Sequence, residues 1–210
     1  MDTQHIPLLN GLVLTGGRSV RMGTDKGLLA WHGTEQRYHM AAVLQRLCQS
    51  AFLSCRSDQQ ADIDPRYPSL ADSRPGLGPA GGILAAFGQD PHSAWLVTAC
   101  DLPLLDAETL QYLIQHRDPR SLATTFKSPH DGLPEPLVTI WEPTSYPVLL
   151  RFTEQGKTCP RKVLLNNPVT IIEPPHPEAL LNANTPADAE QVRRLLHQKQ
   201  ALSNARRIAL

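Results

Sequence analysis

The chain has 210 residues, and its 20 Lys and Arg residues balance 20 Asp and Glu residues, so the formal net charge at pH 7 is zero. General nucleic-acid binders are usually basic, so this balance disfavours that class of function. No apolar run approaches the ~18–20 residues needed to cross a bilayer, so we expect no membrane association. The length fits a single domain of residues 1–210, with a flexible tail from about residue 200 to residue 210.

The N-terminus and the cysteines together predict a cytoplasmic protein. Residues 1–7 contain neither the basic region nor the apolar core of a signal peptide. The four cysteines form no C-x-x-C pair, which is typical of reduced thiols rather than of a disulfide framework or a zinc site; they are Cys48, Cys55, Cys100 and Cys159. We therefore expect the chain to work in a reducing compartment.

Short apolar runs alternate with helical patterns along the chain. The predicted strands, in chain order, are residues 11–15, 51–55, 94–99, 121–126, 137–141 and 169–172. The predicted helices are residues 36–49, Pro79 to about Phe87, 106–116, 145–155, 160–166 and 186–200. Strands that alternate with helices predict an α/β fold of three layers, with a mostly parallel central sheet and helices on both faces. In such folds ligands bind at the C-terminal ends of the strands.

A glycine-rich stretch follows the first predicted strand and carries three cations. Residues 12–26 read L-V-L-T-G-G-R-S-V-R-M-G-T-D-K. Glycines let the backbone bend sharply and approach a ligand, and inward-turned N–H groups then form a concave site for anions. Neither the Walker pattern nor the dinucleotide fingerprint G-x-G-x-x-G is present. We predict a polyphosphate site, in which Lys26 faces the charge that moves in phosphoryl or nucleotidyl transfer. Its residues are Leu14, Thr15, Gly16, Gly17 and Lys26.

An aspartate stands at the end of the strand predicted at 94–99, in the sequence C-D-L-P-L of residues 100–104. A carboxylate there can hold a divalent cation against phosphates, and Mg²⁺ usually takes one or two carboxylates from a protein. The alternative is that Asp101 only caps the turn into Pro103. We predict Asp101 as the magnesium ligand, and therefore as a catalytic residue that also contacts the nucleotide.

Two further segments are rich in residues that suit a ligand. The glycine-rich segment that follows Asp72 includes Gly78, and Asp72 can accept a pair of hydrogen bonds from a guanine edge or meet a ribose hydroxyl. Asn182 and Asn184 alternate along an extended segment, so both side chains face the same way and can bind a pterin edge or position a phosphate. The alternatives are that Asp72 caps its own loop and that one or both asparagines cap the turn before the last helix.

The first motif, written L-T-G-G-x-S-x-R-M-G-x-D-K-G-L-L, resembles the signature loop of the MobA-like nucleotidyltransferases, and within that family it is most similar to molybdenum cofactor guanylyltransferases. The resemblance extends to the D-x-P motif of Asp101, to the G-P-A-G-G segment that follows Asp72, and to an N-x-N-T-P-x-D motif near the C-terminus. It implies a Rossmann-like nucleotidyltransferase fold. It also implies transfer of GMP from GTP to the terminal phosphate of molybdopterin, with release of pyrophosphate.

The same resemblance implies roles for individual residues. Asp101 matches the aspartate that ligates Mg²⁺, Arg21 and Lys26 would act on the phosphates as catalytic cations, and Asn182 and Asn184 match the motif that helps to bind the second substrate. GTP and molybdopterin are then the substrates, Mg²⁺ is the cofactor, and a molybdoenzyme or its chaperone is an expected protein partner. Attack by a phosphate acceptor requires positioning and charge neutralisation rather than a protein nucleophile or a general base.

The chain departs from the family pattern in two places. The family often has an asparagine that touches the nucleotide after the second strand, and residues 53–57 contain none. The loop 127–136, with its Pro-Glu-Pro, also differs and is compatible with another acceptor. Two alternatives therefore stay open: transfer to another phosphorylated acceptor or from CTP, and GTP binding without turnover by a partner of a molybdoenzyme. The basic residues at 156–157 and 160–162 either meet the acceptor phosphate or form a solvated face.

Overall fold

The computed structural model describes residues 6–15, 26–72, 74 and 76–208; for Lys26, Gln200 and residues 202–208 it describes the backbone alone. A seven-stranded sheet forms its centre. The strands are β1 (Leu9–Leu14), β2 (Ala51–Cys55), β3 (Ser69–Ala71), β4 (Ala94–Ala99), β5 (Ala123–Lys127), β6 (Pro134–Trp141) and β7 (Thr170–Ile172). Their spatial order is β3-β2-β1-β4-β6-β5-β7.

The sheet is mostly parallel, as the alternation of strands and helices predicts. The strand β1 pairs in parallel with β2 and β4, β2 pairs in parallel with β3, and β5 pairs in parallel with β7. Only β6 runs the other way, since it is antiparallel to both β4 and β5. The C-terminal ends of β1 to β4 therefore lie at one edge of the sheet, and the N-terminal end of β6 reaches that same edge.

Helices cover both faces of the sheet, and their positions agree with the predicted ones. In the part of the chain that the structure describes they are α1 (Gln36–Leu47), α2 (Pro79–Gln89), α3 (Ala107–Gln115), α4 (Ser145–Glu154), α5 (Pro160–Leu165) and α6 (Pro186–Ile208). Short 3₁₀ turns occur at Lys26–Leu28, Ser57–Asp62 and Pro177–Leu180. The helix α6 continues eight residues beyond its predicted end, so the backbone of 200–208 is helical. None of the described helices is both long and apolar enough to cross a membrane.

Two apolar layers separate the sheet from its helices, because successive side chains of a strand point to opposite faces. Val13 belongs to the layer beneath α1 and α3, where Met40, Leu44, Leu110 and Leu113 are fully buried. Its neighbour Leu12 belongs to the opposite layer, beneath α2, α4 and α5; the large side chains there are Phe87, Trp95, Trp141, Leu149 and Val163. The predicted three-layer fold is thus confirmed.

Side-chain caps and one ion pair fix the ends of the helices that border the candidate site. Asp106 is the N-cap of α3, and its Oδ1 accepts hydrogen bonds from Thr109 N at 3.0 Å and Thr109 Oγ1 at 2.8 Å. The other oxygen, Oδ2, lies 3.1 Å from Lys199 Nζ on α6. The start of α3 is thereby connected to the last helix of the chain.

A buried ion pair joins the end of α3 to the end of β6. Arg117 donates from Nε to Glu142 Oε1 at 2.7 Å and from Nη2 to Glu142 Oε2 at 2.9 Å, with side-chain exposures of 9% and 1%. Such a two-pronged pair satisfies both charges within the protein. Removing one partner leaves the other charge buried and uncompensated.

We expect Glu142→Ala to lower the free energy of unfolding by ~3–5 kcal/mol, because the Arg117 guanidinium would lose its only buried counter-charge among the described residues. The matched control is Glu173→Ala, which removes a pair with Lys127 whose side chains are 73% and 46% exposed, and it should cost at most ~1 kcal/mol. Urea unfolding monitored by circular dichroism measures both. Equal losses in the two variants would contradict the prediction.

Two histidine rings stack where α1 meets the segment that precedes it. The centroids of His32 and His39 are 3.8 Å apart, and the rings are inclined by 13°. Burial, together with the smaller effects of the nearby His32 and Arg46, lowers the pKa of His39 from 6.5 to about 4. The folded protein therefore favours neutral His39 at pH values where the unfolded chain is already protonated.

We expect the stability of the protein to fall as the pH drops from about 6.5 towards 4, because in this window the unfolded state binds a proton at His39 that the folded state refuses. Above pH 6.5 both states are neutral at His39, and no effect is expected. In His39→Gln this contribution should disappear, so its curve of unfolding free energy against pH should be flatter below pH 6.5. Parallel curves for the wild type and the variant would show that His39 does not contribute.

Candidate active site

The candidate site lies at the edge of the sheet where β1, β2 and β4 end. The register pairs Leu14 with Ser54 on one side and with Ala99 on the other, so the three chain segments leave the sheet side by side. Thr15 continues β1 and donates to the Ser54 carbonyl oxygen twice, from its backbone N at 2.9 Å and from Oγ1 at 2.7 Å. These bonds fix the point at which the glycine-rich stretch begins.

Part of the predicted polyphosphate site falls beyond this point. Gly16, Gly17 and Arg21 lie outside the described residues. Lys26 begins the first 3₁₀ turn, and its side chain is also outside the description. Their roles stay predictions. The structure describes Thr15, before this stretch, and the backbone of Lys26, at its end.

Asp72 stands at the end of β3, next to the start of α2. Its backbone N donates to the Cys55 carbonyl oxygen at 2.8 Å, and its Oδ1 accepts from the backbone N of Arg74 at 2.9 Å. The N-cap of α2 is Gly78, whose φ of 56° is a left-handed conformation that favours glycine. A carboxylate at this position faces the positive end of the helix dipole of α2.

The two glycines in the first turn of α2 have steric reasons to be glycine. A Cβ on Gly81 would overlap the Asp72 carboxylate and come within 2.8 Å of its Cγ. A Cβ on Gly82 would overlap Ser54 Oγ and come within 2.7 Å of Leu14 Cδ2. The helix can therefore approach Asp72 and the strand ends only because both side chains are absent. Ser54, which is buried, is part of the segment in which the family often has an asparagine.

The structure brings Asp101 and the two predicted asparagines together, although they are about eighty residues apart in the sequence. Asp101 follows β4, and its carbonyl oxygen accepts a hydrogen bond from the backbone N of Ala183 at 2.9 Å. Ala183 itself is buried against Leu104. Asn182 and Asn184 therefore flank Ala183, the residue that is hydrogen-bonded to the backbone of Asp101.

Thr185 and Asp188 form hydrogen bonds at the start of α6, next to the two asparagines. The backbone N atoms of Asn184 and Thr185 both donate to Asp188 Oδ2, at 3.0 and 2.8 Å, and the Asp188 backbone N donates to Thr185 Oγ1 at 3.2 Å. This reciprocal pattern is a capping box for α6. Asn182, which is half-buried, is not part of this pattern.

Glu135 is a residue of this edge that the sequence interpretation did not select. It lies near the N-terminal end of β6, and its Oε2 is 3.4 Å from Arg161 Nη2, while Arg161 Nη1 is 2.6 Å from Asp131 Oδ2. Burial raises the pKa of the Glu135 carboxyl, the Leu137 N–H and Arg161 oppose the rise, and the charges of Asp101 and Asp131 add to it. The antiparallel register, which pairs Thr98 with Val138, places Glu135 at the same edge of the sheet as Asp101.

A sequence signal for Glu135 did exist, since an acid between two prolines interrupts an otherwise apolar strand. Its neighbour Arg161 is only 28% exposed and is bound by two carboxylates, so it is not a freely solvated charge. Lys162 is exposed, and Lys157 contacts only an exposed glutamine side chain and the face of an aromatic ring among the described residues. Of the basic residues that were considered for the acceptor, Arg161 is the one the fold directs to this edge.

The donors at this edge suit a metal that is shared with a ligand. Among the described residues, no three His, Cys, Asp or Glu side chains lie close enough together to hold a metal ion alone. Magnesium is usually bound by one or two carboxylates together with substrate phosphates, rather than by an all-protein cage. Asp101 at the end of β4 fits that requirement.

A mostly parallel sheet whose first strand leads into the glycine-rich sequence motif, and whose D-x-P aspartate lies beside the N-x-N segment, is the arrangement expected of a nucleotidyltransferase. The family model described as "MobA-like NTP transferase domain" matches residues 11–171. The chain belongs to this family, and it is a nucleotidyltransferase similar to molybdenum cofactor guanylyltransferases.

Similar proteins support the assignment over nearly the whole chain. The chain is 31% identical to the probable molybdenum cofactor guanylyltransferase of Carboxydothermus hydrogenoformans, covering 90% of this chain and 96% of that protein. It is 32% identical to the molybdenum cofactor guanylyltransferase of Pseudomonas aeruginosa, covering 89% and 95%. It is 33% identical to the molybdenum cofactor biosynthesis bifunctional protein of Synechocystis sp.; the match covers 91% of this chain but only 55% of that longer protein.

A solved structure has the same fold. The molybdopterin-guanine dinucleotide biosynthesis protein A of Archaeoglobus fulgidus superposes with a TM-score of 0.75 at 22% identity, covering 90% of this chain and 99% of the other.

We expect Gly81→Ala to weaken nucleoside triphosphate binding by about 10–100-fold, because the new methyl group must displace the Asp72 carboxylate and misplacement of a contact by about 1 Å can cost that much. The matched control is Gly88→Ala in the same helix, where an added Cβ meets nothing within 4 Å, so this variant should gain about 0.5–1 kcal/mol of stability and bind normally. Calorimetric titration and thermal unfolding measure the two effects. Equal affinities would remove Asp72 from the nucleotide site.

Proposed function

We propose that this enzyme transfers GMP from GTP to the terminal phosphate of molybdopterin and releases pyrophosphate. The observation that carries the proposal is the hydrogen bond between Asp101 O and Ala183 N at 2.9 Å, since it joins the aspartate of the D-x-P motif to the N-x-N segment. The nucleotide side and the acceptor side of the predicted site are thereby adjacent. The guanylyltransferase relatives, which this chain covers almost entirely, support the same assignment.

On the nucleotide side, the residues of the chain would hold and orient the triphosphate. Backbone N–H groups of residues 14–17 and the side chain of Lys26 would bind the phosphates, and Arg21 would stabilise the leaving pyrophosphate. Asp72 would bind the guanine edge or the ribose. Two glycines at 16 and 17 would leave room for a purine, which would favour GTP over CTP.

Asp101 would hold Mg²⁺, which when bound supplies positive charge to the phosphates as bonds form and break. Asn182 and Asn184 would orient the acceptor, and Arg161 would offer its guanidinium to the acceptor phosphate. A phosphate monoester is already anionic at neutral pH, so it attacks without a general base. The chain then needs to supply alignment and charge, which agrees with the groups found at this edge.

The proposal is tested by pyrophosphate release from GTP or CTP in the presence of Mg²⁺, with and without molybdopterin. We expect pyrophosphate release with GTP but not with CTP, and only when molybdopterin is present. Release from CTP would assign a cytidylyl activity, and release with a sugar 1-phosphate would assign another acceptor. Binding of GTP without release under all conditions would favour a non-catalytic partner of a molybdoenzyme or its chaperone.

We expect Asp101→Ala to lower metal-dependent turnover by about 100-fold or more, because stabilisation of phosphate charge by a metal is worth several kcal/mol. The matched control is Asp118→Ala, which removes an ion pair with Arg120 whose side chains are 28% and 78% exposed, and which should keep full turnover. Thermal unfolding of both variants shows whether the fold is intact. Normal turnover in Asp101→Ala would exclude Asp101 from the site.

A further inference from the structure

Asp101 lies in the loop of residues 100–105, and the carbonyl oxygens of three consecutive residues of this loop accept hydrogen bonds from other parts of the chain. Ala183 N donates to Asp101 O at 2.9 Å, Gln36 Nε2 donates to Leu102 O at 3.5 Å, and His32 Nε2 lies 2.9 Å from Pro103 O. A carbonyl oxygen can only accept a hydrogen bond, so the proton of this bond must be on His32 Nε2. Two of the three donors are side chains from one segment of the chain.

The same segment also contacts the side chain of the next residue in the loop. Leu104 is 2% exposed and forms a small cluster with Ala183 and Val192, and Trp31 packs against this cluster. The guanidinium of Arg193 lies 5.6 Å from the centroid of the Trp31 ring. Four successive residues, 101–104, are therefore each fixed by a contact from outside their own loop.

This segment, residues 29–36, follows the 3₁₀ turn that starts at Lys26. The 3₁₀ turn Lys26–Leu28 is followed by Leu29, whose carbonyl oxygen accepts from Gln36 N at 2.9 Å at the start of α1. The segment 29–36 thus follows the turn that contains the predicted phosphate-binding lysine, and its His32 and Gln36 side chains form hydrogen bonds with the loop of Asp101. It is a direct connection between the nucleotide motif and the metal motif.

The two side-chain donors, Gln36 and His32, differ in their burial and in how fully their polar atoms are hydrogen-bonded. Gln36 is fully buried, and its Oε1 has no hydrogen-bond partner among the described residues, so the amide is only half satisfied. A half-satisfied buried amide costs folding free energy that an apolar side chain of similar size would avoid. His32 is exposed, and its ring orientation is set by stacking on His39. Neither residue is explained by core packing alone.

We propose that His32 and Gln36 are positioning residues, which hold the backbone of residues 101–103 so that the Asp101 carboxylate is in place for the metal. This inference rests on the proposed role of Asp101 as the magnesium ligand. Residues that orient a metal ligand typically contribute about 10–100-fold to metal affinity when they are removed.

The experiment compares His32→Ala, Gln36→Leu and the double variant in the full-length chain. The matched control is His116→Ala, which removes a histidine-to-carbonyl bond of similar length, between His116 Nδ1 and Tyr112 O at 2.8 Å, on an exposed part of α3. The first measurement is hydrogen exchange of the backbone amides of residues 101, 102, 104 and 105, since Pro103 has no N–H. The second is Mn²⁺ affinity in the presence of GTP, read by electron paramagnetic resonance, with Mn²⁺ as the probe for Mg²⁺.

We expect faster exchange at 101–105 and a Mn²⁺ affinity about tenfold weaker in His32→Ala, with larger effects in the double variant. His116→Ala should match the wild type, and His32→Gln should restore both values because a glutamine amide can reach the same carbonyl. Unchanged exchange and unchanged Mn²⁺ affinity in the double variant would overturn the inference, as would a loss of thermal stability without either effect. Absence of Mn²⁺ binding by the wild type would instead refute the proposed metal role, and exchange would still decide whether His32 holds the loop.

Discussion

The parallel pairing of β1 with both β2 and β4 is the constraint on which the candidate site depends. Its register places Leu14 between Ser54 and Ala99, so the segments that follow these three strands start along one line. Side chains of a strand alternate between faces, so a slip of one residue would move Leu12 and Val13 into the wrong apolar layers. The burial of these two residues therefore also fixes where Thr15 and Asp101 emerge.

The edge defined by this pairing gathers negative charge. Asp72, Asp101 and Glu135 all lie there, and Arg161 is bound to Glu135. Three acidic groups near a site for phosphates would repel the ligand unless positive charge accompanied it. The start of α2 supplies part of this charge through its dipole, and it comes close to Asp72 only because Gly81 has no side chain. A cation that enters with the nucleotide would supply the rest.

The last part of the chain completes the site by returning to this edge. The helix α6 is attached through Lys199 to Asp106 and through Val192 to the cluster that contains Leu104. These contacts bring Ala183 to the carbonyl of Asp101. The contacts that hold α6 against the rest of the domain therefore also place the N-x-N segment beside Asp101.

The sequence by itself determined the elements that have local signals. The strand at 94–99, the cap at Asp106, the helix beginning at Pro79 and the position of Asp101 after a buried strand all follow from short-range patterns, and the structure contains each of them. Tertiary structure alone decided two other features. The strand Ser69–Ala71 is defined by its pairing with β2. Glu135 lies at the same edge as Asp101 because β6 runs antiparallel to β4. Such features depend on contacts between residues far apart in the chain, which leave no periodic pattern within a short window.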